Sequence, residues 1–206
     1  MKIALVRCVA VAMILAGLVV GGRVVYGFMH AQSQDSAQDK AWQTFVSAAA
    51  GQENASASAP TPAAGTGAGT GGGPGNLYLK LTIPKINTSA VSVDGDWNSL
   101  KQTSMVHYHD SPAPGTKGNA LVAFHREPHW LDINKVGPGD QVQVQMADGK
   151  TYTYQVDFVK VVRPAETDLY RPTTGFDLTL ITCDPPWHDN DRMIIRSHLV
   201  TVSPSA

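Results

Sequence analysis

A 25-residue tract that cannot build a hydrophobic core divides this chain in two. Residues 51–75 contain eight glycines, one charged side chain and no aromatic residue. Such a segment buries too little apolar surface to offset the conformational entropy that is lost on folding. We therefore predict that it is a flexible linker. The folded unit is predicted to comprise residues 76–206, which is long enough for one hydrophobic core.

The segment before the linker contains an apolar stretch near its start, from Cys8 to Gly22, between Arg7 and Arg23. A helix that extends beyond both arginines is long enough to span a bilayer, and the two charged side chains can reach the headgroups. We predict that residues 1–28 are an uncleaved single-span anchor in a bacterial cell membrane, with the N-terminus cytoplasmic and the folded domain extracytoplasmic. A cleaved signal peptide is the alternative, although Met29 occupies the place where a small residue is expected.

Residues 29–50 are polar and then rich in alanine. We interpret them as a solvated juxtamembrane stalk. A short helix is the alternative, because Trp42, Phe45 and Val46 recur at helical spacing.

The dominant hydrophobic period after the linker is two, which is typical of β-strands with one buried face. The alternation slips at Val159, which predicts a bulge. Short strands separated by Pro, Gly and Asp indicate an antiparallel barrel or sandwich. The predicted strands are 77–83, 90–93, 120–124, 141–146, 151–162, 178–182 and 193–202, and the predicted short helices are 97–102 and 130–135.

Composition excludes several classes of protein. With 16 basic and 17 acidic side chains the formal charge is -1, which excludes the basic surface typical of nucleic-acid binding. Two cysteines exclude a disulfide-rich scaffold and a four-thiolate zinc site. Asp184, Asp189 and Asp191 favour a solvated acidic loop over a cation site. We predict no metal and no cofactor.

The two cysteines lie in different parts of the chain, so they are not predicted to form a disulfide. Cys8 falls in the proposed anchor, whereas Cys183 directly follows a predicted strand and precedes Asp184-Pro185-Pro186. Free cysteines are most often small buried hydrophobes. A thiol at a strand end is instead placed on a rim, where loops carry function. Cys183 is therefore a candidate nucleophile.

A cysteine nucleophile requires a proton-transfer partner and a group that stabilises negative charge. His125 closes the strand 120–124 and precedes Arg126-Glu127-Pro128, so it also lies at a strand end. Arg192 and Arg196 share one face of the last strand. Arginine there can stabilise an anionic intermediate, although a solvated strand face is the commoner role.

These residues resemble the motifs of the sortase family, the cysteine transpeptidases of bacterial cell envelopes. Thr179-Leu180-Ile181-Thr182-Cys183 is similar to the family's TLxTC signature, and Arg192-Met193-Ile194-Ile195 is similar to the strand that follows it. Upstream, Gly118-Asn119 and His125-Arg126 resemble a further family segment. Phe124 departs from the pattern, because the family commonly has a small residue before the histidine. The layout of the chain resembles the class D and E enzymes.

The resemblance implies a closed, mixed antiparallel and parallel β-barrel of about eight strands. It implies that Cys183 is the nucleophile, that His125 is the general acid and base, and that Arg192 holds the substrate carbonyl or oxyanion. Arg196 is interpreted as a supporting or surface residue. The implied partners are secreted proteins with an LPXTG-like or LAXTG-like sorting signal and an amine acceptor in the cell wall or on another protein.

Two alternatives belong to other classes. One is a different envelope cysteine enzyme, such as a murein L,D-transpeptidase, but the Ser-His-Gly-Cys signature of that family is absent around Cys183. The other is a non-catalytic tethered β-domain in which Cys183 is merely buried.

Overall fold

The computed structural model describes residues 13–15, 17–23, 25, 36–48 and 76–204. The chain divides into two compact units, Met1–Ser36 and Ala37–Ala206. The described residues between 13 and 25 are helical. No helix in the described ranges is both long enough and apolar enough to cross a membrane. The rest of the predicted anchor, parts of the predicted stalk and the whole predicted linker lie outside the described residues.

Eight strands form a closed barrel, as the sequence resemblance implied. Around the barrel they are ordered β1-β2-β3-β4-β7-β8-β6-β5. Most neighbouring pairs are antiparallel, whereas β2–β3 and β4–β7 are parallel, so the sheet is mixed. The bounds are β1 (Leu77–Ile83), β2 (Thr88–Gly95), β3 (Met105–Tyr108), β4 (Gly118–Phe124), β5 (Gln141–Met146), β6 (Thr151–Val162), β7 (Phe176–Asp184) and β8 (Asp191–Ser203).

Because the hydrophobic period of the strands is two, every second side chain points into the barrel. On β5 the side chains of Val142 and Val144 are fully buried, while Gln141 at the strand's start is exposed. The pairing of β6 with β8 shifts register twice, after Thr153 and after Val156. The second shift accounts for the slip in alternation, and it lies slightly before the predicted bulge at Val159.

Strand β3, which includes His107, was not predicted from the sequence. His107 is buried, and its Nδ1 atom lies 2.8 Å from Oδ1 of Asp94 on β2. Its ring stacks on Tyr78 at 4.4 Å between centroids. A four-residue strand gives a weak periodic signal, and the buried position of this histidine depends on partners that are distant in the sequence.

Residues 36–48 form a helix, which was the alternative to the solvated stalk that we favoured from sequence. The Trp42 side chain is fully buried and packs against Leu77, Val91 and Val106. Its Nε1 atom donates a 2.9 Å hydrogen bond to Oε1 of Gln145 on β5. The second compact unit therefore begins well before the predicted boundary at residue 76.

Short 3-10 helices connect the strands. Two coincide with predicted helices, Ser99–Lys101 and Leu131–Lys135. The other two, Pro84–Ile86 and Thr167–Tyr170, were not predicted. Each has only three or four residues, so hydrophobic periodicity has little length over which to appear.

Candidate active site

The parallel pairing of β4 with β7 brings His125 and Cys183 to the same end of the barrel. The last paired residues of the two strands are Ala123 and Ile181. His125 and Cys183 each follow two residues later. The sequence predicted that Cys183 directly follows the end of its strand, whereas β7 includes Cys183 and continues to Asp184.

Alternation along the strands also places the two candidate residues on one face. Side chains of even number on β4 and β7 point into the main core, including Val122 and Leu180. Ala123 and Ile181 instead form a separate outer cluster with Ile194 of β8. Since side chains two residues apart lie on the same face of a strand, His125 and Cys183 continue this outer face.

Arg192 on β8 completes the arrangement. In the antiparallel register of β7 and β8 it lies directly opposite Cys183. It shares the outer face of β8 with Ile194, two residues along. The three sequence-predicted site residues therefore lie on adjacent strands, at one end and on one face of the sheet.

The apolar wall beside these residues is the outer cluster of Ala123, Val162, Ile181 and Ile194. It is covered in part by Leu100 from the β2–β3 connection and by Leu169 and Tyr170 from the β6–β7 connection. Loops from two sides of the barrel thus border the site. An apolar surface with a few polar groups beside it is typical of a ligand-binding site.

The Cys183 thiol is half-buried, and burial raises its pKa above the usual thiol range. Arg192 and, more weakly, Arg126 oppose this effect because a cation favours the thiolate. Glu127 and Asp189 reinforce the increase. The surroundings of Cys183 thus favour the thiol over the thiolate, so a group that accepts the thiol proton would assist its reaction.

His125 is exposed and is held by the β2–β3 connection. Its backbone N–H donates to the carbonyl oxygen of Ser104 at 3.0 Å. Its Nε2 atom lies 2.8 Å from the carbonyl oxygen of Leu100. A carbonyl oxygen only accepts, so Nε2 carries a hydrogen in this geometry and Nδ1 is the accepting nitrogen of the neutral ring.

The Arg192 guanidinium supports the loop that follows Cys183. Its Nη1 atom donates to the carbonyl oxygens of Asp189 and Asp191 at 2.9 and 3.0 Å. Its Nε and Nη2 hydrogens have no partner among the described residues. These hydrogens are donors that can serve a substrate oxygen.

Two hydroxyl groups of the TLITC segment, those of Thr179 and Thr182, have structural roles in this fold. The Thr179 hydroxyl donates to the Asn119 side-chain oxygen at 2.7 Å, and both groups are buried. The Thr182 hydroxyl donates to the carbonyl oxygen of Phe124 at 2.9 Å. Both bonds join β7 to β4, so they fix the relative position of the strands that carry Cys183 and His125.

Arg196 lies on the same face as Arg192 but is not on a solvated strand face. Its side chain is half-buried, and its Nη2 atom donates to the carbonyl oxygen of Leu169. Burial lowers the pKa of its guanidinium from the usual value, while Asp177 and Asp157 oppose this effect. Arg196 therefore acts on the connection between β6 and β7, which covers the outer cluster.

No role for Arg126 or Glu127 was predicted from the sequence. Arg126 is buried, and its Nη1 atom donates to the Asp184 carboxylate and lies 3.4 Å from the carbonyl oxygen of Cys183. The Glu127 side chain accepts a hydrogen bond from the backbone N–H of Trp187. The sequence signals for these residues were their position directly after His125 and, for Arg126, the resemblance of His125-Arg126 to a family segment.

The loop carboxylates do not gather into a metal site. Asp184, which was considered as a ligand, is instead paired with Arg126. Among the residues that the structure describes, no group of three His, Cys, Asp or Glu side chains has a geometry that fits a metal ion.

A family model described as the sortase domain matches residues 81–200, which include β1 from Leu81 onward and all the candidate site residues. The chain belongs to the sortase family. The match covers β4, β7 and β8 as far as residue 200, so the outer face that carries Cys183, His125 and Arg192 is part of the sortase domain.

Two curated sortases are similar in sequence. Sortase D of Bacillus subtilis strain 168 is 28% identical over 106 residues, which are 51% of this chain and 53% of that protein. Sortase SrtE1 of Streptomyces coelicolor A3(2) is 28% identical over 149 residues, which are 63% of this chain and 42% of that protein. This sortase chain thus spans about half of the first relative and less than half of the second.

Solved sortase structures share the fold. Sortase E1 from Streptomyces coelicolor, solved with a tripeptide in its active site, has a TM-score of 0.56 at 26% identity, covering 65% of this chain and 93% of that one. Sortase C1 from Streptococcus agalactiae has a TM-score of 0.55 at 30% identity, covering 64% of this chain and 69% of that one.

Proposed function

We propose that this protein is a membrane-anchored cysteine transpeptidase of class D or E type. It cleaves an LPXTG-like or LAXTG-like C-terminal sorting signal and transfers the protein to an amine of the cell envelope. The observation that carries this proposal is the placement of Cys183, His125 and Arg192 on one face at one end of three adjacent strands. Membership of the sortase family supports the reaction type.

In the first half of the reaction, the Cys183 thiol transfers its proton to an imidazole nitrogen of His125 as sulfur attacks the carbonyl carbon of the signal's threonine. The resulting tetrahedral oxyanion accepts hydrogen bonds from Arg192. When the intermediate collapses, the C–N bond breaks and the imidazolium protonates the departing amine. The product is a thioester between Cys183 and the threonine carbonyl.

In the second half, an acceptor amine attacks the thioester carbonyl. His125 removes a proton from the attacking amine, and the C–S bond breaks to regenerate the cysteine. The net result is exchange of one amide bond for another. Water attacks the same thioester as a slower side reaction and yields a free carboxylate.

The proposed location rests on the sequence. Residues 1–28 hold the protein in the membrane with the N-terminus in the cytoplasm, and residues 51–75 tether the domain on the outside. A tether raises the effective concentration of the domain near substrates held in the same membrane. Membrane fractionation of cells, followed by protease treatment of intact spheroplasts, tests both the attachment and the orientation.

The reaction is tested by incubating the full chain with fluorescent LPXTG and LAXTG peptides in the presence and absence of triglycine. We expect mass spectrometry to detect a thioacyl adduct on the peptide that contains Cys183, and to detect a triglycine-linked product. The Cys183→Ala variant gives neither. A folded wild-type protein that forms no adduct with either peptide contradicts the proposed substrates.

The rate at which Cys183 is alkylated distinguishes the proposed function from the two alternative functions. If the folded protein resists iodoacetamide and becomes reactive only on unfolding, the non-catalytic interpretation is favoured. If the thiol reacts in the folded state but only murein peptides form an adduct, a different envelope transpeptidase is favoured.

A further inference from the structure

Arg126 is an unusual residue to find beside a site on the surface of a barrel. It directly follows the exposed His125, yet its own side chain is only 3% exposed. Arginine is almost never buried without a partner, because removing its charge from water has a large free-energy cost relative to the stability of a small domain. The contacts that hold it are therefore informative.

The partners of Arg126 come from the residues that surround the nucleophile. Its Nη1 atom donates to Oδ1 of Asp184, the residue that follows Cys183, and also lies 3.4 Å from the carbonyl oxygen of Cys183 itself. The Asp184 side chain is 25% exposed, so the pair is shielded more on the arginine side than on the aspartate side. The Nε atom of Arg126 is buried and has no hydrogen-bond partner among the described residues.

A second contact joins the same two segments. Glu127, the next residue along, accepts a hydrogen bond from the backbone N–H of Trp187. The three residues that begin with His125 are thus connected to the segment after Cys183 at two points. Beyond the last paired residues of β4 and β7, these side chains take the place of ladder hydrogen bonds.

A buried ion pair is weak evidence for stability, because hydrophobic residues of similar volume often serve as well. A planar guanidinium with donors in fixed directions does, however, fix the positions of the groups that it binds. Arg126 is also one of the two cations that act on the Cys183 thiol. The fixed directions of its donors and its positive charge both act on the candidate active site rather than on the hydrophobic core.

We propose that Arg126 is a positioning residue: through Asp184 and the carbonyl of Cys183 it sets the distance and orientation between the end of β4, which carries His125, and the end of β7, which carries Cys183. This inference rests on the proposed function in so far as the two residues cooperate in acyl transfer. The physical reason is the steep dependence of proton transfer on geometry, since a displacement of about 1 Å can lower the rate about 100-fold.

Three variants of the full chain separate the charge of Arg126 from its geometry. Arg126→Lys keeps the positive charge and removes the planar fork, Arg126→Gln removes the charge, and Asp184→Asn weakens the partner. Arg163→Gln is the matched control, because Arg163 is exposed and its hydrogen bonds are formed by its backbone N–H and carbonyl oxygen. Thermal unfolding establishes that each variant is folded at the assay temperature.

The first readout is the rate of Cys183 alkylation by iodoacetamide as a function of pH, quantified on the peptide that contains Cys183. We expect the midpoint of the Arg126→Gln profile to shift upward, because the thiolate loses a favourable charge. The Arg126→Lys and Arg163→Gln profiles stay at the wild-type midpoint. A folded Arg126→Gln variant with the wild-type midpoint overturns the electrostatic part of the inference.

The second readout is the kinetics of peptide transfer to triglycine. We expect Arg126→Lys and Asp184→Asn each to lower kcat about 10- to 100-fold with little change in KM, because chemistry rather than peptide binding is affected. Wild-type kcat in both folded variants overturns the positioning role, and so does an equal loss in Arg163→Gln. If wild type transfers neither peptide, the proposed substrates fail, while the alkylation profile still decides whether Arg126 acts on Cys183.

Discussion

The Nε2 atom of His125 lies 2.8 Å from the carbonyl oxygen of Leu100. Leu100 belongs to the β2–β3 connection, and its side chain also packs on the apolar outer cluster beside Cys183. One residue therefore orients the imidazole through its backbone and covers the adjacent wall through its side chain. The contact also fixes the neutral tautomer, because only a protonated Nε2 can donate to a carbonyl oxygen.

Replacing His125 by Ala should abolish proton transfer and leave the thiol in place. We expect peptide transfer to fall about 100- to 10,000-fold, the usual contribution of a general acid and base. The rate of Cys183 alkylation at high pH, where the thiolate forms without assistance, should stay within about twofold of wild type because an exposed histidine contributes little to packing. Wild-type transfer by the His125→Ala variant would exclude the proposed role.

The half-buried environment of Cys183 predicts a distinctive pH dependence. Its thiol pKa is raised chiefly by burial, so the thiolate fraction grows only at a pH above the range of a free cysteine, whose pKa is about 8.5. The alkylation rate of Cys183 should therefore reach its midpoint at a higher pH than that of N-acetylcysteine measured in parallel. A midpoint below that of the free thiol would mean that Arg192 and Arg126 outweigh burial.

Arg192 should contribute to both the thiolate and the oxyanion. We expect Arg192→Gln to shift the midpoint of Cys183 alkylation upward, because Arg192 is the cation that most favours the thiolate. Loss of one oxyanion donor typically lowers kcat about 100- to 1,000-fold, and we expect a loss of this size in peptide transfer. Arg171→Gln is the control, because the Arg171 side chain is largely exposed and forms its ion pair with Asp168, three residues away. Equal losses in both variants would contradict a specific role for Arg192.

The 36–48 helix should stabilise the barrel through one side chain. Trp42 is fully buried and hydrogen-bonded to Gln145, so Trp42→Ala removes a large core side chain and leaves that amide without its partner. We expect the free energy of unfolding to fall by about 3–5 kcal/mol, measured by urea denaturation. Gln43→Ala, at the exposed neighbouring position, should change it by less than about 0.5 kcal/mol.

The same contact bears on fragments of the chain. A fragment of residues 76–206, the unit expected from sequence, lacks Trp42 and should unfold at a lower temperature than a fragment of residues 37–206. Equal unfolding temperatures would show that the helix contributes nothing to the stability of the barrel.

The parts of the fold that were predictable from sequence are those set by local periodicity. Seven of the eight strands were predicted from sequence, and β7, predicted as 178–182, extends two residues further at each end. The candidate site followed from Cys183 and His125 at strand ends, because two strand ends of one sheet can meet at its edge. Parallel pairing of β4 with β7 is the long-range fact that brings them to the same edge.

The parts that were missed depend on partners distant in the sequence. Nothing near Trp42 shows that its binding surface lies on β1, β2 and β3, beyond a linker that has no periodic pattern. Arg196 was interpreted only as a supporting or surface residue, because the 3-10 helix Thr167–Tyr170, whose Leu169 accepts its hydrogen bond, gives no periodic signal. In the sequence, Arg126 has the features of an ordinary loop arginine. Only the structure shows its contact with Asp184.

The buried Thr179 hydroxyl should matter for stability although it is not part of the reacting group. It donates to Oδ1 of Asn119, and the amide nitrogen of Asn119 donates in turn to the carbonyl oxygen of Arg171 at 3.2 Å. Thr179→Val keeps the branched shape but leaves a buried oxygen without a donor, which costs about 1–3 kcal/mol. We expect a matching decrease in the free energy of unfolding, whereas Thr201→Val on the exposed end of β8 should leave it nearly unchanged. If both variants unfold like wild type, the hydrogen bond between β7 and β4 does not stabilise the site.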